Sequence, residues 1–80
     1  MGQIVAITGG ARGIGRATAR ECLRSGLQVA IGDIDAYEVA RTEAELGDGV
    51  LGVPFDVRDP DAFAAFLDQV EDRLGPLDVL

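Results

Sequence analysis

Short apolar runs alternate with amphipathic stretches along the whole chain. The runs cover residues 3–8, 27–32 and 50–55, and a fourth begins at Leu77. Strands that are buried on both faces of a parallel sheet have such nearly continuous apolar sequences, whereas the stretches between them have helical spacing. The pattern therefore predicts repeated strand–helix units, that is, an α/β fold with helices on both faces of a parallel sheet.

Aspartates and prolines indicate where two helices begin and which strand lies at the edge. Asp35 with Glu38, and Asp59 with Pro60, are typical of helix N-termini, because an aspartate side chain accepts hydrogen bonds from the first free amides. Pro54 falls near the end of the third run, and proline cannot donate a hydrogen bond to a neighbouring strand. We therefore expect the third strand at the edge of the sheet.

The apolar positions of each helical stretch predict the face that packs on the sheet. For the first helix, residues 13–25, these positions are Ile14, Ala17, Thr18, Cys22 and Leu23. For the second they are Val39, Ala40 and Leu46, and for the third Phe63, Phe66, Leu67, Val70 and Leu74. Residues that recur three and four positions apart lie on one side of a helix, so we interpret all three sets as core.

The glycine-rich stretch between the first strand and the first helix has the clearest chemistry. Its sequence is Thr-Gly-Gly-Ala-Arg-Gly-Ile-Gly, residues 8–15, with glycines spaced G-x-x-x-G-x-G. Glycines allow a tight turn and a close approach of the backbone to a ligand. A helix N-terminus directs free amides and partial positive charge at an anion. A strand, this turn and a helix together predict a phosphate-binding site.

These residues resemble the cofactor motif T-G-x-x-x-G-[IL]-G of the short-chain dehydrogenase/reductase family. Asp33 at the end of the second strand and Asp56-Val57 after the third also fall where that family contacts the ribose and the adenine of its cofactor. Residues 75–80 resemble the family's approach to its fourth strand. The resemblance spans the whole chain and implies a Rossmann-type fold that binds a nicotinamide dinucleotide.

The resemblance implies a role for each matching residue of the glycine turn. Gly9 would allow the turn, Gly13 the close approach of the pyrophosphate, and Gly15 the close packing of helix on strand, while the backbone of Ile14 would face the pyrophosphate. In some family members a basic residue at the position of Arg12 contacts the 2′-phosphate of NADP. Arg12 is either such a residue or an exposed loop arginine.

The resemblance also implies how the adenosine is held. The Asp33 carboxylate would accept hydrogen bonds from the ribose hydroxyls, and Ile34 would flank the adenine. Asp56 would accept a hydrogen bond from the adenine amino group, and the backbone amide of Val57 would reach a ring nitrogen. Because a carboxylate at position 33 would repel a 2′-phosphate, we expect NAD to be preferred to NADP.

The residues that catalyse the reaction in this family have no counterpart in the sequence. The resemblance implies a serine, a tyrosine and a lysine four residues after the tyrosine, whereas the chain contains no lysine, histidine or asparagine. Its only tyrosine, Tyr37, lies in the second helical stretch, and its only serine, Ser25, ends the first. We therefore assign no catalytic residue and no metal ligand, and we expect the chain alone to be inactive.

Charge and composition argue against several classes of partner. The chain has 7 basic and 14 acidic residues and a net charge of −7, which disfavours nucleic acid. It contains no apolar run long enough to span a membrane and no pattern typical of a secretory signal. The single cysteine, Cys22, cannot form an internal disulfide, which favours a cytoplasmic location and a buried apolar role for the thiol.

These features predict a three-layer Rossmann-type unit with parallel strands in the order 3-2-1-4. Residues 1–80 would be the N-terminal part of a single NAD(P)-binding domain, truncated after the start of the fourth strand, with an unpaired edge that favours association. By resemblance, the parent transfers a hydride between nicotinamide and a carbonyl or alcohol substrate and is a homo-oligomer. A non-catalytic dinucleotide-binding module is one alternative. A sugar-nucleotide epimerase relative is another, although its G-x-x-G-x-x-G motif does not match this turn.

Overall fold

The computed structural model describes residues 3–47 and 49–78. Within them, strands and helices alternate along the chain. They are β1 (Ile4–Thr8), α1 (Gly13–Arg24), β2 (Gln28–Asp33), α2 (Ala36–Leu46), β3 (Val50–Pro54) and α3 (Pro60–Arg73). These are the elements that the apolar pattern predicts, with small shifts at their ends. No helix in the described residues is long and apolar enough to cross a membrane.

The strands form a parallel sheet in which β2 lies between β1 and β3. The predicted order 3-2-1 is therefore confirmed, and β3 is an edge strand. The Phe55 amide donates a hydrogen bond to the Asp33 carbonyl across 2.9 Å, so the preceding residue, Pro54, faces away from β2. The edge accepts a proline because the missing donor would have had no strand to bond to.

The outer edge of β3 is covered in part by α2. Gly52 lies two residues before Pro54 and also directs its amide away from β2. The Glu43 carboxylate of α2 accepts a hydrogen bond from this amide at 2.9 Å. A side chain of the same chain thus uses a donor that would otherwise be open to another strand.

The predicted fourth strand is not among the described strands. Leu77 and Asp78 have no strand conformation, and residues 79–80 lie outside the described residues. Asp78 nevertheless contacts β1, because its amide donates to the Ile4 carbonyl at 3.0 Å and its Oδ2 accepts from the Ile4 amide at 2.9 Å. Since β2 bonds to the alternate residue, Gln3, Asp78 lies at the opposite edge of β1.

Buried side chains on both faces make the sheet the middle of three layers. One cluster comprises Ile4, Ala6, Ala30, Leu51, Phe66 and Val70, and places α3 on the first face. The other comprises Ala19, Val29 and Ile31 with the partly buried Ile7, Cys22, Leu23, Leu46 and Val50, and places α1 and α2 on the second face. The predicted three-layer arrangement is confirmed, and the apolar stripe of α3 is core as its spacing indicates.

The face that α1 turns to the sheet differs from the predicted one. Ala19 is fully buried, whereas Ala17, Thr18 and Ile14 are exposed, the last to 86%. The prediction for these three residues was wrong. Helix α1 packs on β1 and β2. Thr18 lines a cavity along β1, and Ile14 and Ala17 line a neighbouring open groove, so this flank lies beside the sheet and not on it.

In α2 a polar residue is buried, whereas one of the predicted core residues is exposed. Val39 is buried as predicted, but Ala40 is exposed, so that prediction was wrong. Thr42 is fully buried instead, and its hydroxyl donates to the carbonyl of Ala11 in the glycine-rich turn at 3.3 Å. A buried hydroxyl is tolerated when it is hydrogen-bonded, and this bond ties α2 to the turn.

Helices α2 and α3 both begin at the predicted aspartates. The Asp35 carboxylate accepts a hydrogen bond from the Glu38 amide at 3.1 Å. The Asp59 carboxylate accepts from the amides of Asp61 and Ala62 at 3.1 and 3.3 Å. In both helices a side chain satisfies amides that have no partner inside the helix.

Replacing Asp59 with alanine is expected to lower the free energy of unfolding by about 1 kcal/mol, because two amides of α3 lose their acceptor. Urea unfolding of the two proteins measures the difference. Asp68→Ala is the matched control, since it removes an exposed carboxylate from the middle of α3 and should change stability by less than about 0.5 kcal/mol. Equal losses in both variants would contradict the role of Asp59 as a cap.

Candidate functional site

Most of the predicted site residues meet around one cavity at the carboxyl ends of the strands. The cavity has a volume of about 300 Å³, and its lining comprises Gly9, Arg12, Gly32, Asp33, Ile34, Phe55, Asp56, Val57 and Arg58. The carboxyl end of a parallel sheet is where open α/β folds bind ligands. The remaining predicted residues, Gly13, Ile14 and Gly15, form the first turn of α1, directly after Arg12.

The glycine-rich turn is held against β2 by its own backbone. The amides of Gly9 and Gly10 donate to the carbonyl of Gly32 at 2.7 and 3.2 Å. Gly9 and Gly13 have φ values of 69° and 54°, and a Cβ at either would meet nothing within 4 Å. Glycine is required at these two positions by the backbone conformation and not by lack of space.

Gly15 is required for the opposite reason. A Cβ at this position would collide with the carbonyl oxygen of Gly9 and would lie 3.1 Å from the Cα of Gly10. Gly15 therefore allows α1 to pack directly on the turn, whereas the motif predicts packing on the strand. This contact fixes the position of the turn relative to the N-terminus of α1.

The N-terminus of α1 differs from those of α2 and α3 in having no side-chain cap within the described residues. Arg12 occupies the cap position, and the first turn contains no acidic residue. The amides at the start of a helix have no acceptor inside the helix, and the helix dipole adds partial positive charge there. The backbone of Gly13, Ile14 and Gly15 can therefore bind an anionic group.

Asp33 is the buried charged group of the cavity, with 5% of its surface exposed. Its Oδ1 accepts hydrogen bonds from Arg12 Nη2 at 3.2 Å and from the Asp35 amide at 3.3 Å. Its Oδ2 is buried and has no partner among the described residues. A buried acceptor without a donor is unfavourable, so this oxygen is suited to a hydroxyl or amine of a bound molecule.

Arg12 forms an ion pair with Asp33 at the mouth of the cavity. Its Nη2 lies 3.2 Å from Asp33 Oδ1, and 60% of its side chain is exposed compared with 3% for Asp33. The Arg12 side chain is thus mostly exposed, and its guanidinium already has a partner. A ligand that approaches Asp33 meets both the carboxylate and this guanidinium.

Asp56 is held by an arginine that the resemblance does not single out. Arg58 donates to Asp56 Oδ1 from its backbone amide at 2.9 Å and from Nε at 3.0 Å, and to Oδ2 from Nη2 at 2.8 Å. Hydrogen bonds from the Arg58 side chain and then from its backbone lower the pKa of Asp56 from 3.8 to about 2. The spacing of the pair, two residues apart after a strand, is the sequence signal for such a turn.

Apolar side chains complete the wall of the cavity. Ile34 and Val57 are exposed to 57% and 47%. Both line the cavity, together with Phe55, whose ring stacks on Phe66 of the core with centroids 4.8 Å apart. Apolar walls with a few polar groups are typical of sites for small organic ligands.

A second, larger cavity of about 680 Å³ lies along the free edge of β1. Its lining comprises Gln3, Val5, Ala6, Ile7, Thr8, Thr18, Cys22, Leu27 and Phe63, with no charged side chain among these residues. Asp78 contacts the same edge of β1 through Ile4. We assign the smaller cavity as the candidate site because it alone of the two combines a buried carboxylate, cations and apolar walls.

Comparison with known proteins identifies the family. The sequence model of the short chain dehydrogenase family matches residues 3–80. The chain belongs to the short-chain dehydrogenase family. It is 39% identical over 79 residues to the sorbitol dehydrogenase of Cereibacter sphaeroides. This match covers 99% of the chain and 31% of that enzyme. It is 42% identical over 80 residues to the cis-4-hydroxycyclohexanecarboxylate dehydrogenase of Sinomonas cyclohexanicum. This match covers 98% of the chain and 32% of that enzyme.

Solved structures of other proteins contain the same arrangement of strands and helices. A 3-ketoacyl-(acyl-carrier-protein) reductase from Brucella melitensis, complexed with NADH, superposes with a TM-score of 0.94 at 28% identity over 98% of the chain. A short-chain dehydrogenase/reductase from Burkholderia phymatum, in complex with NAD, gives 0.93 at 30% identity. The chain covers 32% and 29% of these two proteins, and it corresponds to the N-terminal part of family members.

Proposed function

We propose that this short-chain dehydrogenase chain binds NAD through the adenosine and pyrophosphate of the dinucleotide, as the cofactor-binding part of an oxidoreductase. The observation that carries the proposal is the buried Oδ2 of Asp33, which has no partner among the described residues although Asp33 lines the cavity. A ribose hydroxyl would supply the missing donor. The residues present therefore fit the cofactor that the family implies.

The first turn of α1 would hold the pyrophosphate. Gly13, Ile14 and Gly15 offer backbone amides at a helix N-terminus that has no side-chain cap within the described residues. The same turn contains no carboxylate that would repel a phosphate. Helix dipole and free amides together favour an anion there.

The adenine would lie against the apolar part of the cavity. Ile34 and Val57 present exposed apolar surface to it, and the Asp56 carboxylate offers an acceptor for an amino group. The backbone amide of Val57 is the donor that we assign to a ring nitrogen. A flat ring with one amino group and ring nitrogens matches this set of contacts.

Hydride transfer is the chemistry that a nicotinamide dinucleotide supplies when bound. The curated relatives named above are dehydrogenases, which supports a carbonyl or alcohol as the substrate class of the proposed oxidoreductase. The residues of this chain would bind and orient the adenosine half of the cofactor. Asp33 also supports a preference for NAD over NADP, because the buried carboxylate would repel the negative charge of a 2′-phosphate.

We also propose that a fourth strand begins near Leu77 beside β1, as part of a single NAD(P)-binding domain. The two hydrogen bonds between Asp78 and Ile4 support this placement, because they lie on the edge of β1 that β2 does not use. The apolar cavity along that edge would then be filled by the strand.

Competition between parts of the dinucleotide tests the proposal. Titration calorimetry of the purified protein with NAD should show binding, and ADP should displace NAD because the cavity and the turn recognise the adenosine and the phosphates. Nicotinamide mononucleotide, which lacks the adenosine, should displace NAD much less well. Absence of NAD binding, or better competition by the mononucleotide than by ADP, would overturn the assignment of this cavity.

A further inference from the structure

Arg58 is bonded to Asp56 in a way that limits how the carboxylate can bind anything else. Asp56 Oδ1 accepts two hydrogen bonds, from the backbone amide and Nε of Arg58, whereas Oδ2 accepts one, from Nη2. Each carboxylate oxygen has room for about two donors. A further donor is therefore directed to Oδ2.

The side chain of Arg58 is needed for this arrangement, and its backbone is not sufficient. Many residues two positions after an aspartate can donate a backbone hydrogen bond to it. The two side-chain bonds, at 3.0 and 2.8 Å, need the planar fork of a guanidinium, which lysine lacks. They hold the plane of the Asp56 carboxylate in one orientation at the edge of the cavity.

We propose that Arg58 is a positioning residue that orients Asp56 to select a purine with an amino group at C6. The inference rests on the proposed function and names a determinant of its adenine specificity. An ionised carboxylate with one open acceptor position attracts an N–H group and repels a carbonyl oxygen. Adenine presents an amino group at C6, whereas hypoxanthine presents an oxo group.

Two further observations agree with this role. The hydrogen bonds of Arg58 lower the pKa of Asp56 to about 2, because Arg58 binds the ionised carboxylate, which is the form that acts only as an acceptor. In addition, 81% of the Arg58 side chain is exposed, and exposed ion pairs contribute little to stability. Removal of the Arg58 side chain should therefore change the purine preference much more than the free energy of unfolding.

The test compares NAD with nicotinamide hypoxanthine dinucleotide in titration calorimetry of the purified protein. The wild type should favour the adenine form about tenfold, as expected for one hydrogen bond to a charged group. In Arg58→Ala this preference should fall to about threefold or less, mainly through weaker binding of NAD. Arg58→Lys should restore it only in part, because lysine keeps the charge and loses the fork.

A second measurement separates positioning from a purely structural effect. The ¹³C resonance of the Asp56 carboxyl group at pH 4 should report an ionised group in the wild type and a more protonated one in Arg58→Ala, because the pKa rises from about 2 toward 3.8 when the two side-chain bonds are lost and only the backbone bond is left. Arg73→Ala, at the C-terminal end of α3, is the matched control and should leave both the resonance and the purine preference unchanged.

The outcomes distinguish this inference from the function on which it rests. An unchanged purine preference in Arg58→Ala, or equal binding of the two dinucleotides by the wild type, would overturn the role of Arg58 and leave NAD binding intact. Failure of the wild type to bind either dinucleotide would overturn both.

Discussion

Replacement of Asp33 by alanine is expected to weaken NAD binding and to strengthen NADP binding, so that the cofactor preference shifts by about a hundredfold. The loss for NAD follows from the buried Oδ2, which would no longer accept a ribose hydroxyl. The gain for NADP follows from the removal of a negative charge beside the 2′-phosphate. Both changes act on the ratio of the two affinities in the same direction.

The magnitude follows from the charges in the cavity. A 2′-phosphate carries about −1.5 to −2 charges, and a carboxylate about 4 Å away repels each unit by roughly 4 kcal/mol at an effective dielectric constant of 20. Screening by solvent and movement of the phosphate reduce this repulsion, and about 2.8 kcal/mol of it is sufficient for a hundredfold preference. Arg12 would attract the phosphate, but it is 60% exposed and already paired with Asp33. Exposed ion pairs are worth about 1 kcal/mol or less, so repulsion should dominate.

Titrations with NAD and NADP measure this effect in the wild type and in Asp33→Ala. The matched control is Asp68→Ala, which removes one negative charge from the exposed surface of α3 and should leave the preference unchanged. Arg12→Ala should weaken whatever NADP binding remains. A wild type that already prefers NADP would show that Arg12 governs the cavity, and our assignment of Asp33 would then be wrong.

Replacement of Gly15 by alanine should both destabilise the protein and lower its affinity for the dinucleotide at least tenfold. The added Cβ collides with the Gly9 carbonyl, so the turn or the helix must move. Such overpacking typically costs about 1–3 kcal/mol of unfolding free energy. The displacement also separates the amides of Gly13 and Ile14 from the rest of the cavity, which is why binding should suffer.

Urea unfolding and NAD titration on the same preparation separate the two effects. Arg24→Ala, at the other end of α1 and exposed, is the control and should bind NAD as the wild type does. Gly13→Ala gives a useful contrast, because its Cβ would meet nothing within 4 Å and only the positive φ would be strained. Wild-type affinity in a folded Gly15→Ala protein would contradict the proposed role of the contact.

Much of the fold could be predicted because local chemistry and global arrangement agree in this sequence. The aspartates at positions 35 and 59 cap the helices that they are predicted to cap. Pro54 identifies the edge strand, since a proline amide cannot take part in a central ladder. The continuous apolar runs predict a sheet covered on both faces, and the two clusters of buried side chains confirm it.

The remaining features depend on contacts between distant parts of the chain, which spacing alone does not specify. The apolar residues of α1 lie on more than one flank, and periodicity does not tell which flank faces the sheet. The prediction that Ile14 belongs to the core is therefore wrong, because this residue is exposed. Thr42 is polar and yet buried, because its hydroxyl donates a hydrogen bond to the carbonyl of Ala11, 31 positions away. The resemblance predicts that Asp33 and Asp56 serve one cofactor, and both line one cavity, whereas the part played there by Arg58 is visible only in three dimensions.

The bond between Glu43 and the Gly52 amide has a consequence for how the sheet can grow. With Pro54 providing no donor and Gly52 already bonded, the outer side of β3 is a poor template for any incoming strand. We therefore expect a further strand to pair with β1 and not with β3. Of the two outer edges of the described sheet, only the β1 edge therefore suits a further strand, and this is the edge that Asp78 contacts through Ile4.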